Sequence, residues 1–515
     1  MDRPRDESLQ KPLKGSPTGK PGVHIAPTAY PAVGAIAFLA AFGRPCPCTE
    51  AGSPPPFQKN LRKEPVEPTD RGSIFDPNDR LRGAMDLHLE NLALAVREVP
   101  LQRRAGRIVK LVGTVLEAEL PGARIGEVCQ VEGGPLAEAI GFRENRAILM
   151  PFGSLEGIRF GSTIETTGEL SAVRIGEALR GRIIDGFGEP IDGKGPILSQ
   201  GKWPLHRPPP EAMDREPIRR AFVTGVRLLD GLLTFGKGQR VGLMAGSGVG
   251  KSTLMGMIAR NSMADINVIA LVGERGREVR EFIEDVLGPE GLARSVVVVV
   301  TSDRPPVLQV RGAFVAATIA DWFRAQGRDV LFFMDSVTRL AMAQRQIGLA
   351  AGEPPTTKGY TPSVFSLLPR LLERAGAGES GTITGIYTVL IDGDDIQDPI
   401  GDAVRGIVDG HIVLTRKLAV HGQYPAVDVL QSISRVMRAV TTPAHREVAQ
   451  KLRGLMAVWA ENEELIRLGA YKTGSSPQVD AAVARIDAIR AFLMQDTQER
   501  TTLEQAIAGM AAVVK

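Results

Sequence analysis

The sequence predicts an α/β chain with a mostly parallel sheet at its centre, a small N-terminal β-barrel before it and a short helical domain after it. Three observations carry this. Six apolar runs in the middle of the chain are separated by helical stretches, and several are apolar throughout, as strands buried on both faces of a parallel sheet must be. Ahead of them, short Val/Ile/Leu runs alternate with Gly and Pro, the cadence of a barrel. The last ~70 residues contain no such runs and space their apolar residues as helices do.

The chain begins with a segment of different character. Residues 1–84 hold 14 of the 36 prolines and two of the three cysteines, Cys46 and Cys48. They also carry the entire formal net charge of +3, so the remaining residues are formally neutral and bulk charge selects no nucleic-acid or membrane partner. A segment so rich in proline buries too little apolar area to offset its ordering entropy and reads as disordered. A secretory signal is disfavoured, because the Arg44-Pro45-Cys46-Pro47-Cys48 flank lacks the small residues of a cleavage site. Two thiols without further Cys or His make a poor metal site. The prefix is a tail, or lies upstream of a working start at Met85. Three cysteines exclude a disulfide scaffold, and the longest apolar run, 32–42, is about half the ~20 residues needed to span a bilayer.

Met85, Leu89, Leu92, Val96 and Val99 fall on one face of an amphipathic helix over 85–102, packed on its own domain or available for docking. The barrel is expected over 103–175, with strands at 109–115, 128–131, 147–150 and 162–166. A turn-rich link follows at 181–193. The α/β domain is expected over 176–440, with strands at 241–245, 267–272, 295–300, 330–334, 382–390 and 411–415 and a helix over 309–325. The helical domain, 441–515, includes helices at 461–468 and 479–494.

Chemistry is concentrated at the ends of the central strands. Gly246-Ser247-Gly248-Val249-Gly250-Lys251-Ser252-Thr253 lies between the first strand and a helix. Glycines let backbone N–H groups close on phosphates, Lys251 can reach the β- and γ-phosphates, and the Ser252 hydroxyl can ligate Mg²⁺. The usual pattern opens with Gly where this chain has Ala245, a position that needs only a small residue. The second strand runs into Gly273-Glu274-Arg275-Gly276-Arg277-Glu278, where Glu274 could orient or deprotonate an attacking water, or sit in a solvated turn. The strand ending in Met334-Asp335 presents one carboxylate at its tip, as holding Mg²⁺ through water requires.

The set of motifs resembles the rotary-type ATPases, and within them the flagellum-specific ATP synthases of the flagellar protein export apparatus, sisters of the type III secretion ATPases. The resemblance rests on the loop at 245–252, on Gly273-Glu274-Arg275-Gly276-Arg277-Glu278 and on Met334-Asp335-Ser336-Val337-Thr338-Arg339. Gly352-Glu353-Pro354-Pro355, residues 359–365, Asp392-Gly393-Asp394-Asp395 and residues 409–414 extend it over roughly 85–515. It implies a RecA-like P-loop core that hydrolyses ATP with Mg²⁺. By resemblance, Tyr424 would stack on adenine; its alternative is an interdomain core aromatic. Arg435, in Ser432-Ile433-Ser434-Arg435, would be an arginine finger reaching a neighbour's γ-phosphate; its alternative is a salt-bridged arginine on a helix surface. Arg275 would support Glu274 or touch the γ-phosphate.

The same resemblance implies a homohexamer at the cytoplasmic side of the inner membrane. Its partners would be a stator-like regulatory subunit and anionic phospholipid at the 85–102 helix, a stalk-like coiled coil facing the 352–374 loop, export-gate membrane proteins, and chaperone-bound export substrates. Glu274 favours a catalytic over a noncatalytic paralogue, and the short helical end favours the export branch over a rotary synthase subunit. Residues 466–471 and 474–476 resemble the flagellar rather than the injectisome branch. A ring helicase would need a basic, aromatic-lined surface; residues 85–175 offer only Phe142, Phe152 and Phe160, so no nucleic-acid partner is expected. A non-hydrolysing nucleotide-binding scaffold is opposed by the presence of Lys251, Glu274, Asp335 and Arg435 together.

Overall fold

The structure, a computed structural model, describes residues 104–391 and 398–515. The prefix 1–84, the helix expected at 85–102 and the Asp392-Gly393-Asp394-Asp395 motif lie outside the described residues.

Six strands close into a barrel: β1 (Ala105–Val112), β2 (Val115–Glu119), β3 (Glu127–Val131), β4 (Leu136–Arg143), β5 (Arg146–Pro151) and β6 (Thr163–Leu170), paired in the order β1-β2-β5-β4-β3-β6. Closure leaves no free edge, and Ile108, Leu116, Cys129, Val131, Leu149 and Ile164 fill the interior. The single strand expected over 109–115 is two. Gly113 takes a φ of +59°, which only glycine adopts at little cost, and Val112 turns back to pair with Val115. Strand β4 had no sequence signal because its inward residues are Ala137 and Ala139 rather than Val or Ile.

The central sheet takes in β7 (Ile183–Ile184), β8 (Arg240–Ala245), β9 (Ile266–Val272), β10 (Ser295–Val300), β11 (Asp329–Asp335), β12 (Thr382–Leu390), β13 (Gly410–Leu414) and β14 (Val427–Ser434). Their spatial order is β14-β13-β8-β12-β11-β9-β10-β7. All neighbours are parallel except β14, which runs antiparallel to β13 at the edge. The turn-rich link at 181–193 therefore contributes the opposite edge strand. Every residue of β9 and β10 is buried, the consequence of cover on both faces. Helix α1 (Lys251–Asn261) packs Leu254, Met255 and Ile258 on one face; α2 (Pro306–Ala325) packs Phe314, Ile319 and Phe323 on the other.

Parallel pairing has one decisive consequence. The registers Ala245↔Leu390, Met334↔Tyr387 and Leu271↔Asp335 bring the C-terminal ends of β8, β11 and β9 to one edge of the sheet, where ligands bind in open α/β sheets. From Asp335 the chain enters α3 (Val337–Ala351), capped by the Ser336 hydroxyl. Of the stretch 352–374, only the part before Pro362 is a loop. Pro362–Leu372 is a helix that buries Val364, Leu368, Leu371 and Leu372, and Arg374 is buried in an ion pair with Asp321, so this part does not form a channel-facing loop.

After α4 (Pro399–Ile407) and the short α5 (Arg416–Val420), the chain ends in three helices, α6 (Pro443–Arg467), α7 (Pro477–Leu493) and α8 (Leu503–Val514). Ile489, Phe492, Leu493 and Met510 join the core that also contains α1, so these helices sit against the phosphate-loop side of the sheet. No helix among the described residues is long and apolar enough to cross a membrane.

Candidate active site

The loop 246–250 leaves β8 and enters α1 without a side-chain cap; Gly250 occupies the cap position with a left-handed φ of +88°, and Gly248 has φ +75°. Non-glycine residues pay for such angles, and the loop's open N–H groups at a helix start form an anion cradle. Gly246, Ser247, Gly248, Lys251, Ser252 and Thr253 line a cavity of about 590 Å³ shared with Glu274, Asp335 and Arg339. Val249 points the other way, into the core.

Four charged side chains converge there. Lys251 Nζ lies 2.5 Å from Asp335 Oδ1 and 3.9 Å from Glu274 Oε1. Asp335, 3 % exposed, also accepts from the Thr388 hydroxyl at 2.7 Å, which fixes the carboxylate on β12. Arg339, on the first turn of α3, brings Nε within 3.8 Å of Glu274 Oε1. Sequence reasoning missed Arg339 as a site residue. The Ser336 cap and the helical spacing aim it at the end of β9, so a strand-end acid followed four residues later by Arg was the available signal.

Glu274 Oε1 and Arg339 Nε are buried without a hydrogen-bond partner. Orphaned polar atoms facing a cavity are costly unless a ligand completes them. The carboxylate, hydroxyl and ammonium set fits a polyphosphate with its divalent cation: Lys251 holds Asp335 in the place of that cation's charge. Burial, with Asp335's negative charge second, pushes the Glu274 carboxyl up to about 7, opposed by Lys251 and Arg339. The protonated acid then hydrogen-bonds to Glu278, whose own carboxyl is held below its usual range by that bond and by Arg275.

Arg275 also lines this cavity but does not contact Glu274 directly. Its guanidinium is largely exposed and pairs with Glu278 at 2.6 Å. Tyr424 lies at the loop's other side: its ring edge would be 3.5 Å from a Cβ at Gly250, and its carbonyl accepts from the Gln495 backbone, tying the loop to the C-terminal segment. The ring is 46 % exposed rather than enclosed in a core. Arg435 follows β14 directly rather than standing on a helix, is exposed, and donates from Nη2 to the Arg405 carbonyl at 3.4 Å. It is far from Lys251. Gly410 pairs with Ser434 while Leu414 pairs with both Val427 and Ala245, so Arg435 lies at the opposite sheet edge. Five residues of strand at ~3.3 Å each put it about 15 Å from its own phosphate loop.

Comparison with known proteins matches this organisation. Residues 108–168 match the ATP synthase alpha/beta family β-barrel domain, 225–434 the nucleotide-binding domain of that family, and 441–512 the T3SS EscN ATPase C-terminal domain. The chain is 54 % identical to the flagellum-specific ATP synthase of Bacillus subtilis, over 80 % of this chain and 95 % of that protein. It is 50 % identical to the type 3 secretion system ATPase of Xanthomonas euvesicatoria, over 80 % and 94 %. Among solved structures, the assembled ATPase EscN of enteropathogenic Escherichia coli superposes with a TM-score of 0.77 at 46 % identity, covering 80 % of this chain and all of that one. EscN has also been solved with its central stalk EscO, with a TM-score of 0.75.

Proposed function

The chain belongs to the family of flagellum-specific ATP synthases and type III secretion ATPases, and from that premise we propose that residues 246–253, Glu274, Asp335 and Arg339, with Arg435 of a neighbouring copy, form its ATP-hydrolysing site. The protein is an ATPase that energises type III protein export. The observation that carries the site assignment is the convergence of three parallel strand ends, which brings a phosphate cradle, a buried carboxylate near neutrality and a strand-tip acid to one cavity.

The N–H groups of 246–251 bind the phosphates, and Lys251 exchanges Asp335 for the γ-phosphate when ATP enters. The Ser252 hydroxyl and the Asp335 carboxylate would hold Mg²⁺, which when bound spreads the charge of the β- and γ-phosphates. Glu274 orients the attacking water and takes its proton, as the P–O bond to ADP breaks and phosphate is released. Arg339 neutralises charge beside Glu274, and Tyr424 offers an open ring face to the base. A finger about 15 Å away in its own subunit can act only in trans, which supports a closed homohexameric ring.

The flagellar branch is the favoured assignment: residues 466–471 and 474–476 resemble it, although the matches include both branches at comparable identity. In that setting the ring would sit at the cytoplasmic side of the inner membrane beneath an export gate. There it would meet a stalk-like coiled coil, as EscN meets EscO, a stator-like subunit, anionic phospholipid, and chaperone-bound substrates.

Replacing Lys251 by Met tests the reading at its base: affinity for Mg–ATP, measured by fluorescent nucleotide titration, should fall about 100-fold through loss of charge-assisted contacts. Unchanged affinity would remove the phosphate-loop assignment. A second expectation concerns pH. Because Glu274 titrates near 7 and works as its carboxylate, kcat/KM should rise through a midpoint near that pH and fall about tenfold for each unit below it. Glu274→Gln should abolish the limb.

A further inference from the structure

Helix α5 is thinly packed. None of its five residues is buried, and it lies beside a mostly apolar cavity of about 660 Å³. Lys417, Leu418 and His421 line that cavity from the α5 side, Trp459 and Glu463 from α6, and Arg490 from α7. With no fully buried residue, the helix makes two polar contacts to other parts of the protein. Arg416 Nη2 donates to the Ser247 carbonyl at 3.3 Å, and Lys417 Nζ pairs with Glu463 Oε2 at 2.9 Å.

These two contacts reach different parts of the protein. Ser247 stands in the middle of the phosphate loop, whereas Glu463 stands on the long helix of the C-terminal layer. Two adjacent residues on a short helix with no fully buried residue therefore tie the loop to that layer. The loop carbonyl is fixed by nothing else that reaches it from outside the strand–loop–helix unit among the described contacts.

We propose that Arg416 is a positioning residue of the phosphate loop, and that through Lys417–Glu463 it makes the loop's grip on nucleotide depend on where the C-terminal helical layer stands. Arg416 touches no reacting atom. It holds the Ser247 carbonyl outward, which keeps the following N–H groups turned toward the phosphates. The proposal rests on the reading of 246–253 as the phosphate grip.

The test is steady-state Mg–ATP hydrolysis by the full chain, with a thermal melt of every variant. Arg416→Ala should raise KM about fivefold, the scale of one exposed charge-assisted hydrogen bond, with kcat changed less than twofold and an unaltered melt. Arg416→Lys, which keeps one donor, should recover most of the loss. Glu463→Ala should raise KM in the same direction and add nothing on the Arg416→Ala background, because it acts through the same contact. Unchanged KM in Arg416→Ala, or additive effects of the two substitutions, would overturn the proposal. Wild-type hydrolysis that survives Lys251→Met would instead overturn the phosphate-loop reading, and this proposal with it.

Discussion

Substituting Gln for Glu274 is expected to lower kcat about a thousandfold while leaving Mg–ATP bound. A positioned general base contributes roughly 10²–10⁴ in rate, and the upper half of that range applies where the base also orients the nucleophile. Glu274 stands at the end of β9, 6 % exposed, with Lys251 and Arg339 on either side at just under 4 Å. Gln has the same shape and keeps a donor and an acceptor, but it cannot take a proton at any pH. Removing the acid also removes the negative charge that faces Asp335, so nucleotide affinity should stay the same or improve. Rapid-quench turnover together with equilibrium binding separates the two effects. Equal loss of binding and turnover would mean that Glu274 serves the cradle rather than the water.

The central strands were legible because several are apolar along most of their length and three of them stop at a motif. A run such as 267–272 followed by Gly273-Glu274 fixes both the strand and the edge at which it ends. Parallelism then follows from the intervening helices, and with it the convergence of Lys251, Glu274 and Asp335. What escaped has physical causes. The edge strand β14 is half polar, since one face meets no cover, and so it lacked the apolar signature of its neighbours. The alanines of β4 fill a narrow barrel interior and give little hydrophobic signal. The role of Arg339 depends on the direction in which the first turn of α3 faces, which is set by the Ser336 cap rather than by residue type. The exposure of Arg275 and its pairing with Glu278 likewise depend on how the chain turns after β9. Residue type suggested two roles for Arg275, and the geometry leaves it at the cavity lining, paired with the Glu278 that bonds to Glu274.

The clearest outcome concerns the arginine beyond β14. Arg435→Ala alone should reduce turnover by about 10³ or more, the scale of a finger that neutralises transition-state charge on the γ-phosphate. That loss by itself does not say which subunit the arginine serves, but a mixing experiment does. Subunits carrying Arg435→Ala keep an intact cradle and base; subunits carrying Glu274→Gln keep an intact finger, and they still bind nucleotide, so assembly is not compromised. Each alone should be inactive. If the finger acts across a head-to-tail interface, an equimolar mixture builds complete sites wherever an Arg435→Ala cradle meets a Glu274→Gln neighbour, about a quarter of interfaces at random assembly. Activity should then reappear, up to that fraction of wild type, and fall below it if the ring requires successive sites to fire in turn. If Arg435 acted within its own chain, no mixture could contain one complete site, and the activity would stay at the level of the inactive parents. The first result is the expected one, because the registers of β13 and β14 hold the guanidinium at the sheet edge opposite its own Lys251. In the single chain it rests on the Arg405 carbonyl at the end of α4, exposed to whatever packs there. Recovery on mixing would therefore establish the trans finger and, at the same time, the head-to-tail ring on which it depends.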